Sequence, residues 1–161
     1  MLSLHVITVG RDKDSWVSDQ IDHYRKLLTK YARLELTVVP EDGYTKATDI
    51  SKALRSEAGA IRLRLRGGFL FVLDAGGRVY TTESLTREID RLKSGGHSLL
   101  EFVIGGPFGL DPSLKQLDKE AGSGQVISLS PLTMSHQIAR LVLLEQLYRV
   151  CNLSAGGSYH K

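Results

Sequence analysis

The chain has 161 residues, a length typical of one domain, and its hydrophobic fraction of 42% suffices for a buried core. No run of about 18 apolar residues occurs, so we expect no membrane-spanning helix. Cys151 is the single cysteine, which excludes an internal disulfide framework, and the first residues lack a signal-peptide pattern, so we expect a cytoplasmic protein. The net charge of +3 permits a polyanionic partner without requiring one.

Strand-like and helix-like segments alternate along the whole chain. The strands predicted from apolar, β-branched composition are 2–9, 34–39, 69–73, 99–104 and 126–129. The helices predicted from the spacing of apolar residues are 15–31, 49–62, 82–93 and 136–151. Asp111-Pro112, an N-cap followed by proline, predicts a short helix over 111–119. This alternation predicts the α/β class, with a mostly parallel sheet and helices on both of its faces, in a single domain over residues 1–161.

The strand over 99–104 runs directly into the glycine-rich stretch Gly105-Gly106-Pro107-Phe108-Gly109. Proline ends the strand because it has no amide proton for the ladder, and glycine at 105 would let a ligand approach the backbone closely. Loops at the carboxyl ends of parallel strands are where open α/β sheets bind ligands. The alternative is a tight strand-to-helix turn that binds nothing.

Two further strand ends, at Leu73 and Leu129, also lead into glycine-rich or polar loops, so three loops should meet at one edge of the sheet. Neither the Gly-x-Gly-x-x-Gly spacing nor a Gly-Lys-Ser/Thr sequence is present, which argues against a dinucleotide or a nucleoside triphosphate. We therefore expect a small ligand that is recognised by backbone amides and apolar side chains.

A basic stretch, Arg62-Leu63-Arg64-Leu65-Arg66, ends the second predicted helix. Its cations could contact phosphates. We favour the simpler interpretation, in which they are solvated residues that the dipole of the helix favours at its carboxyl end.

The last predicted helix has apolar residues on nearly every side, which predicts burial, and in so small a chain a second subunit is one way to bury it. We therefore expect a homodimer. His136 and Arg140 lie four residues apart on one face of this helix and could hold or activate an anionic or imide substrate. The alternative is that both residues are structural. Tyr159 and His160 lie at the chain end, where residues are usually disordered.

Four motifs, spread over the chain, form a recognisable set. They are the loop over 104–110, the segment Leu129-Ser130-Pro131-Leu132-Thr133-Met134-Ser135-His136, the helix with Arg140, Glu145, Gln146 and Tyr148-Arg149, and the terminal Tyr159-His160-Lys161. Together they resemble the RlmH family, the small SPOUT-class methyltransferases that modify large-subunit ribosomal RNA. The similarity covers the whole chain.

This resemblance implies an α/β-knot fold, in which the C-terminal segment threads through a loop as a trefoil knot. It implies that S-adenosylmethionine, the methyl donor, sits in the knot and that no metal is needed. The donor contacts that it implies are Leu73, Gly105, Leu129, Ser130, Pro131, Leu132, Thr133 and Met134. It also implies a homodimer with the last helix in the interface, and methyl transfer to N3 of a pseudouridine in the 23S rRNA of an assembled ribosome.

The N3 atom of pseudouridine carries a proton that must be lost. His136 or His160 could accept it, and proton loss to solvent with Arg140 stabilising the imide anion is the alternative. Tyr159 offers a ring that can stack on a base, and Gly156-Gly157 would free the tail to order when RNA arrives. We predict that His136, Arg140, Tyr159 and His160 form the catalytic group. The competing hypothesis is a dimeric RNA- or ligand-binding module of the same fold without catalysis.

Overall fold

A computed structural model describes residues 1–43, 49–116 and 123–159. Its centre is a five-stranded sheet with the strand order β2-β1-β4-β3-β5, in which every pair of neighbours is parallel. The strands are β1 (Leu2–Val9), β2 (Ala32–Val39), β3 (Phe69–Val79), β4 (Leu99–Ile104) and β5 (Gly124–Ser128). The predicted parallel sheet is therefore confirmed.

Helices cover both faces of the sheet, as the alternation of segments predicts. They are α1 (Ser15–Leu28), α2 (Ile50–Arg62), α3 (Thr82–Ser94), a 3-10 helix (Pro112–Gln116) and α4 (His136–Ser154). Because successive strand residues point to opposite faces, Phe102 of β4 packs beneath α1, α3 and α4, while Val103 packs beneath α2 and the 3-10 helix. The rings of Phe71 and Phe102 stack in the first core with their centroids 4.8 Å apart.

The largest difference from the predicted strands is in β3, which continues to Val79 instead of ending at residue 73. Leu73 and Arg78 both pair with Ile127 of β5, so residues 74–77 bulge out of the ladder and the strand then resumes. The glycines of this bulge indicate a strand end in the sequence, and only the pairing partner in β5 reveals that the strand goes on.

Smaller differences lie at the helix ends. Helix α1 ends at Leu28, three residues before its predicted end, and β2 begins correspondingly early, at Ala32. The predicted helix over 111–119 is a 3-10 helix over Pro112–Gln116, and residues 117–119 lie outside the described ranges.

Helix α4 buries one side within its own chain, through Leu143, Leu144, Leu147 and Val150. These residues belong to the core that α1 and α3 also cover. Much of the apolar surface of α4, from which we predict a second subunit, is therefore already buried within one chain. Ile138 in the first turn of α4 remains 36% exposed. In the described part of the chain, no helix is long and apolar enough to span a membrane.

Part of the basic stretch is fixed by the fold. The backbone amides of Arg66 and Gly68 donate to the carboxylate of Glu101, which is 1% exposed in β4, at 3.0 and 2.8 Å. The Arg66 side chain pairs with Glu35 of β2, and Arg64 donates to the carbonyl of Ala60 at 2.9 Å. Arg64 therefore interacts with the carboxyl end of α2, as the simpler interpretation predicts, whereas Arg66 is held by an ion pair and is not merely solvated.

Candidate functional site

The bulge within β3 and the carboxyl ends of β4 and β5 meet at one edge of the sheet and enclose a cavity of about 210 Å³. The predicted strand end at Leu73 is a bulge inside β3, whereas the ends of β4 and β5 meet at this edge as predicted. The start of α4 closes the fourth side. The lining residues are Leu73, Asp74 and Ala75 at the bulge in β3, Ile104 at the end of β4 with Gly105, Gly106, Pro107 and Gly109 after it, Leu129, Ser130, Leu132, Thr133 and Met134 after β5, and His136 and Ala139 of α4.

Seven of the eight predicted donor contacts line this cavity, and Pro131 does not. The loop that carries most of them is shaped by its serines. Ser128 donates its hydroxyl to the carbonyl of Ser130 at 2.9 Å, and the Ser130 hydroxyl accepts from the amide of Leu132 at 3.0 Å. Ser135 then caps α4, because its hydroxyl accepts from the amide of Ile138 at 3.3 Å.

Glycine is required at position 105 by the loop itself. A Cβ atom on Gly105 would lie 2.4 Å from the carbonyl oxygen of Gly109, because the chain turns back through a bridge between Gly106 and Gly109. The close approach that the sequence suggests for a ligand is therefore made by the protein's own backbone. A larger side chain here would rearrange one wall of the cavity.

Asp74 and Lys115 form an ion pair of 2.7 Å at the wall of the cavity. The hydrogen bond from Lys115 lowers the pKa of the Asp74 carboxyl, and the amide of Gly76 adds a second hydrogen bond at 3.1 Å. Lys115 belongs to the 3-10 helix, so this pair joins the bulge in β3 to the segment that follows β4. Neither residue is among the predicted site residues, and their separation in sequence hides the contact.

His136 stands between the cavity and the turn after β1. Its Nε2 is buried without a hydrogen-bond partner and lies 3.6 Å from the point that a Cβ atom on Gly10 would occupy. The Oε2 atom of Glu41 lies 3.4 Å from the same point. Gly10 has a φ of +82°, which other residues rarely adopt, so glycine keeps this space open between an imidazole and a carboxylate.

Sequence reasoning misses Gly10 and Glu41 as site residues. The signal that could have found them is their position, since each follows the last residues of a strand at the same edge of the sheet.

Arg140 does not line the cavity. Its side chain is buried and donates to the Oδ2 atom of Asp12 at 2.6 Å, to the carbonyl of Gly10 at 3.3 Å and to the hydroxyl of Thr8. Burial lowers the pKa of the Arg140 guanidinium, and the charge of Asp12 opposes that effect. Arg140 thus clamps the turn after β1 against the first turn of α4, beside His136.

The tail lies far from the cavity of its own chain. The Tyr159 ring packs against Tyr148 at 4.8 Å and beneath the Arg149 guanidinium at 4.8 Å, and its amide donates to Asn152 at 2.9 Å. Tyr148 is twelve residues beyond His136 on α4, which corresponds to about 18 Å along the helix. The expectation of a free tail is therefore wrong as far as Tyr159, and His160 lies outside the described residues.

Comparison with known proteins gives consistent matches over the whole chain. A family model described as "Predicted SPOUT methyltransferase" matches residues 2–160. Ribosomal RNA large subunit methyltransferase H of Pseudomonas aeruginosa is 35% identical over 99% of this chain and 100% of its own length. The protein of the same name from Symbiobacterium thermophilum is 34% identical over 99% of this chain and 100% of its own. The chain belongs to the SPOUT methyltransferase family, whose fold is the α/β knot.

Proposed function

We propose that this protein transfers a methyl group from S-adenosylmethionine to N3 of a pseudouridine in the 23S rRNA of the assembled ribosome, in the cytoplasm. The observation that carries the proposal is the cavity formed by the bulge in β3, the loops after β4 and β5, and the start of α4. Family membership supports methyl transfer, and the names of the full-length relatives support large-subunit rRNA as the substrate. The choice of N3 rests on the resemblance to the RlmH family.

The residues around the cavity fit the donor. Leu73 and Met134 offer apolar walls, while Gly105 and the loop over 129–134 offer backbone groups that can read the edge of an adenine. When bound there, S-adenosylmethionine supplies an electrophilic methyl carbon, so the protein has mainly to align the acceptor atom with it. Among the described residues, no group of three His, Cys, Asp or Glu side chains is placed to hold a metal ion. Metal independence stays a prediction.

We assign His136 as the base that accepts the N3 proton. His136 lines the donor cavity, its buried Nε2 has no hydrogen-bond partner, and an imidazole nitrogen with a free lone pair can accept a proton. Glu41, across Gly10, can stabilise the imidazolium that forms. Arg140 acts as a positioning residue, because its guanidinium is already engaged by Asp12 and Gly10.

We also propose a homodimer in which the tail of one protomer completes the cavity of its partner. A tail docked about 18 Å along α4 from His136 cannot serve its own cavity without detaching. If the α4 helices of a two-fold dimer pack antiparallel, the end of one helix lies beside the start of the other. Tyr159 and His160 would then reach the partner's cavity, where Tyr159 can stack on the target base.

The direct test is a paired measurement on the wild-type protein. We expect the protein to bind S-adenosylmethionine in calorimetry and to transfer labelled methyl groups to ribosomes over many turnovers. Binding of the donor without transfer would favour the non-catalytic RNA-binding module. No binding of the donor would remove the cavity from consideration.

A further inference from the structure

Three cations lie along the solvent-facing side of α2. Lys52, Arg55 and Arg62 are separated by three and seven residues, so they share one stripe of the helix, and all three are exposed. Glu57, the acidic residue within Ile50–Arg62, is turned inward at 5% exposure and accepts from the amide of Asp42 at 3.1 Å. The α2 stripe, as we call Lys52, Arg55 and Arg62, therefore carries positive charge alone.

The α2 stripe is not neutralised by ion pairs within the described residues. Arg62 donates to the Ser113 hydroxyl at 2.7 Å, and that hydroxyl in turn donates to the Asp111 carboxylate at 2.5 Å. Asp111 makes no direct ion pair with the stripe, but its pKa is lowered by the Ser113 hydrogen bond and further by the charges of the two arginines of the stripe. Helix α3 differs, since two of its three cations pair with acids three residues away, as Arg91 does with Glu88 at 2.7 Å. Three cations beside one acid leave the stripe with net positive charge, which is available to an external anion.

The stripe borders the candidate active site. Arg62 contacts Ser113 of the 3-10 helix, and Lys115 of the same short helix pairs with Asp74 at the cavity wall. This helix directly follows the loop over 105–110, which forms another wall of the cavity. A polyanion that lies along α2 would therefore pass close to the cavity.

We propose that the α2 stripe binds the phosphate backbone of the rRNA that flanks the target nucleotide, an inference that rests on the proposed function. Lys52 and Arg62 are ten residues apart, about 15 Å along the helix, which is long enough to contact several successive phosphates of one strand. The stripe carries three positive charges, as many as the formal net charge of +3, so the rest of the chain is balanced and offers little general attraction to RNA. The part of the basic stretch over 64–66 is engaged within the fold and is not included.

The experiment replaces the stripe by Lys52→Gln, Arg55→Gln and Arg62→Gln together. The matched control is Lys30→Gln, Arg25→Gln and Arg87→Gln, three exposed cations elsewhere on the chain without ion pairs to described residues. We expect the stripe variant to raise KM for ribosomes at least tenfold at about 0.15 M salt, with kcat and donor binding unchanged. For the stripe variant, the slope of log(kcat/KM) against the logarithm of the salt concentration should be less steep by about 2 to 3. Each lost phosphate contact lowers the magnitude of this slope by about 0.7–0.9.

Equal KM values and equal salt slopes for the stripe variant and the control would overturn the proposal. Loss of donor binding or of thermal stability in the stripe variant would assign its cations to the fold and would overturn the proposal as well. A raised KM for ribosomes with unchanged affinity for a protein-free 23S rRNA fragment would point to an acidic ribosomal protein instead of RNA. Failure of the proposed function is a separate result, because the wild type would then not methylate ribosomes.

Discussion

Arg140 and Asp12 form a buried ion pair that joins the first turn of α4 to the turn after β1 across 128 residues of sequence. Their atoms Nη1 and Oδ2 are 2.6 Å apart, and the two side chains are only 5% and 12% exposed. Because Gly10 in the same turn faces His136, the pair fixes one border of the space around the proposed base.

We predict that Asp12→Ala destabilises the protein by about 3 kcal/mol, because it leaves the buried guanidinium of Arg140 without its counter-charge. The free energy of unfolding from urea titration measures this effect. The control is Asp14→Ala, since the Asp14 side chain makes no capping hydrogen bond at the start of α1 and its removal should change little. Equal unfolding curves for the two variants would contradict a stabilising role for the pair.

A second prediction compares two carboxylates that both hold Arg66. Glu101 accepts from the backbone amides of Arg66 and Gly68 in the core, whereas Glu35 pairs with the exposed Arg66 side chain. Glu101→Gln should lower the free energy of unfolding by about 2 to 3 kcal/mol. The glutamine side chain has no charge, and its NH₂ group would face backbone amides that are themselves donors. Glu35→Gln should leave the unfolding midpoint near that of the wild type. A larger loss of stability for Glu35→Gln than for Glu101→Gln would contradict this prediction.

The single cysteine provides a prediction about pH. Burial raises the pKa of the Cys151 thiol to about 11. The thiol therefore stays protonated in the folded protein at pH values at which it ionises in the unfolded chain. This contribution to stability is complete below about pH 8.5 and is lost progressively as the pH rises toward 11. Relative to Cys151→Ala, the wild type should lose about 1 to 3 kcal/mol of unfolding free energy between pH 9 and 11. Parallel pH profiles of the two proteins would rule this out.

Much of the fold follows from the sequence because its signals are local. The apolar runs of β1 and β4 and the helical spacing of α2 and α3 place those elements to within a residue or two. The location of the cavity can also be predicted from the sequence, because the carboxyl ends of parallel strands lie at one edge of the sheet.

What the sequence does not reveal depends on contacts between distant segments. The bulge at residues 74–77 needs β5 as a pairing partner, and the Asp12–Arg140 pair joins opposite ends of the chain. The space between Glu41 and His136 likewise appears only when the first two strands stand beside α4. Tyr159 is held in place by contacts with Asn152 and Tyr148. The polar sequence at the end of the chain gives no indication of these two partners.

The proposed role of the tail is tested by deleting residues 158–161. We expect donor binding and dimer mass to be unchanged, and methyl transfer to ribosomes to fall by orders of magnitude. Tyr159→Phe is the matched control, because it keeps the ring for stacking on a base. Full activity of the deletion variant would show that the cavity acts without the tail.

Whether the tail acts across the dimer is tested by mixing two inactive variants, His136→Ala and the deletion of 158–161. A mixed dimer contains one cavity with His136 and one intact tail from the partner. Recovery of activity on mixing is expected if the tail serves the partner's cavity. No recovery, although exchange of subunits is verified, would contradict that arrangement.

The central claim is that this protein methylates N3 of a pseudouridine in assembled ribosomes, and nucleoside mass spectrometry of the rRNA after reaction tests it most directly. Because acidic residues equal in number the cations outside the α2 stripe, the chain should bind bare RNA weakly and act slowly on it. We predict one added methyl group per ribosome, on N3 of a pseudouridine in the 23S rRNA, and far slower transfer to protein-free 23S rRNA. Methylation at another base, no methylation, or equal rates on both substrates would contradict the account.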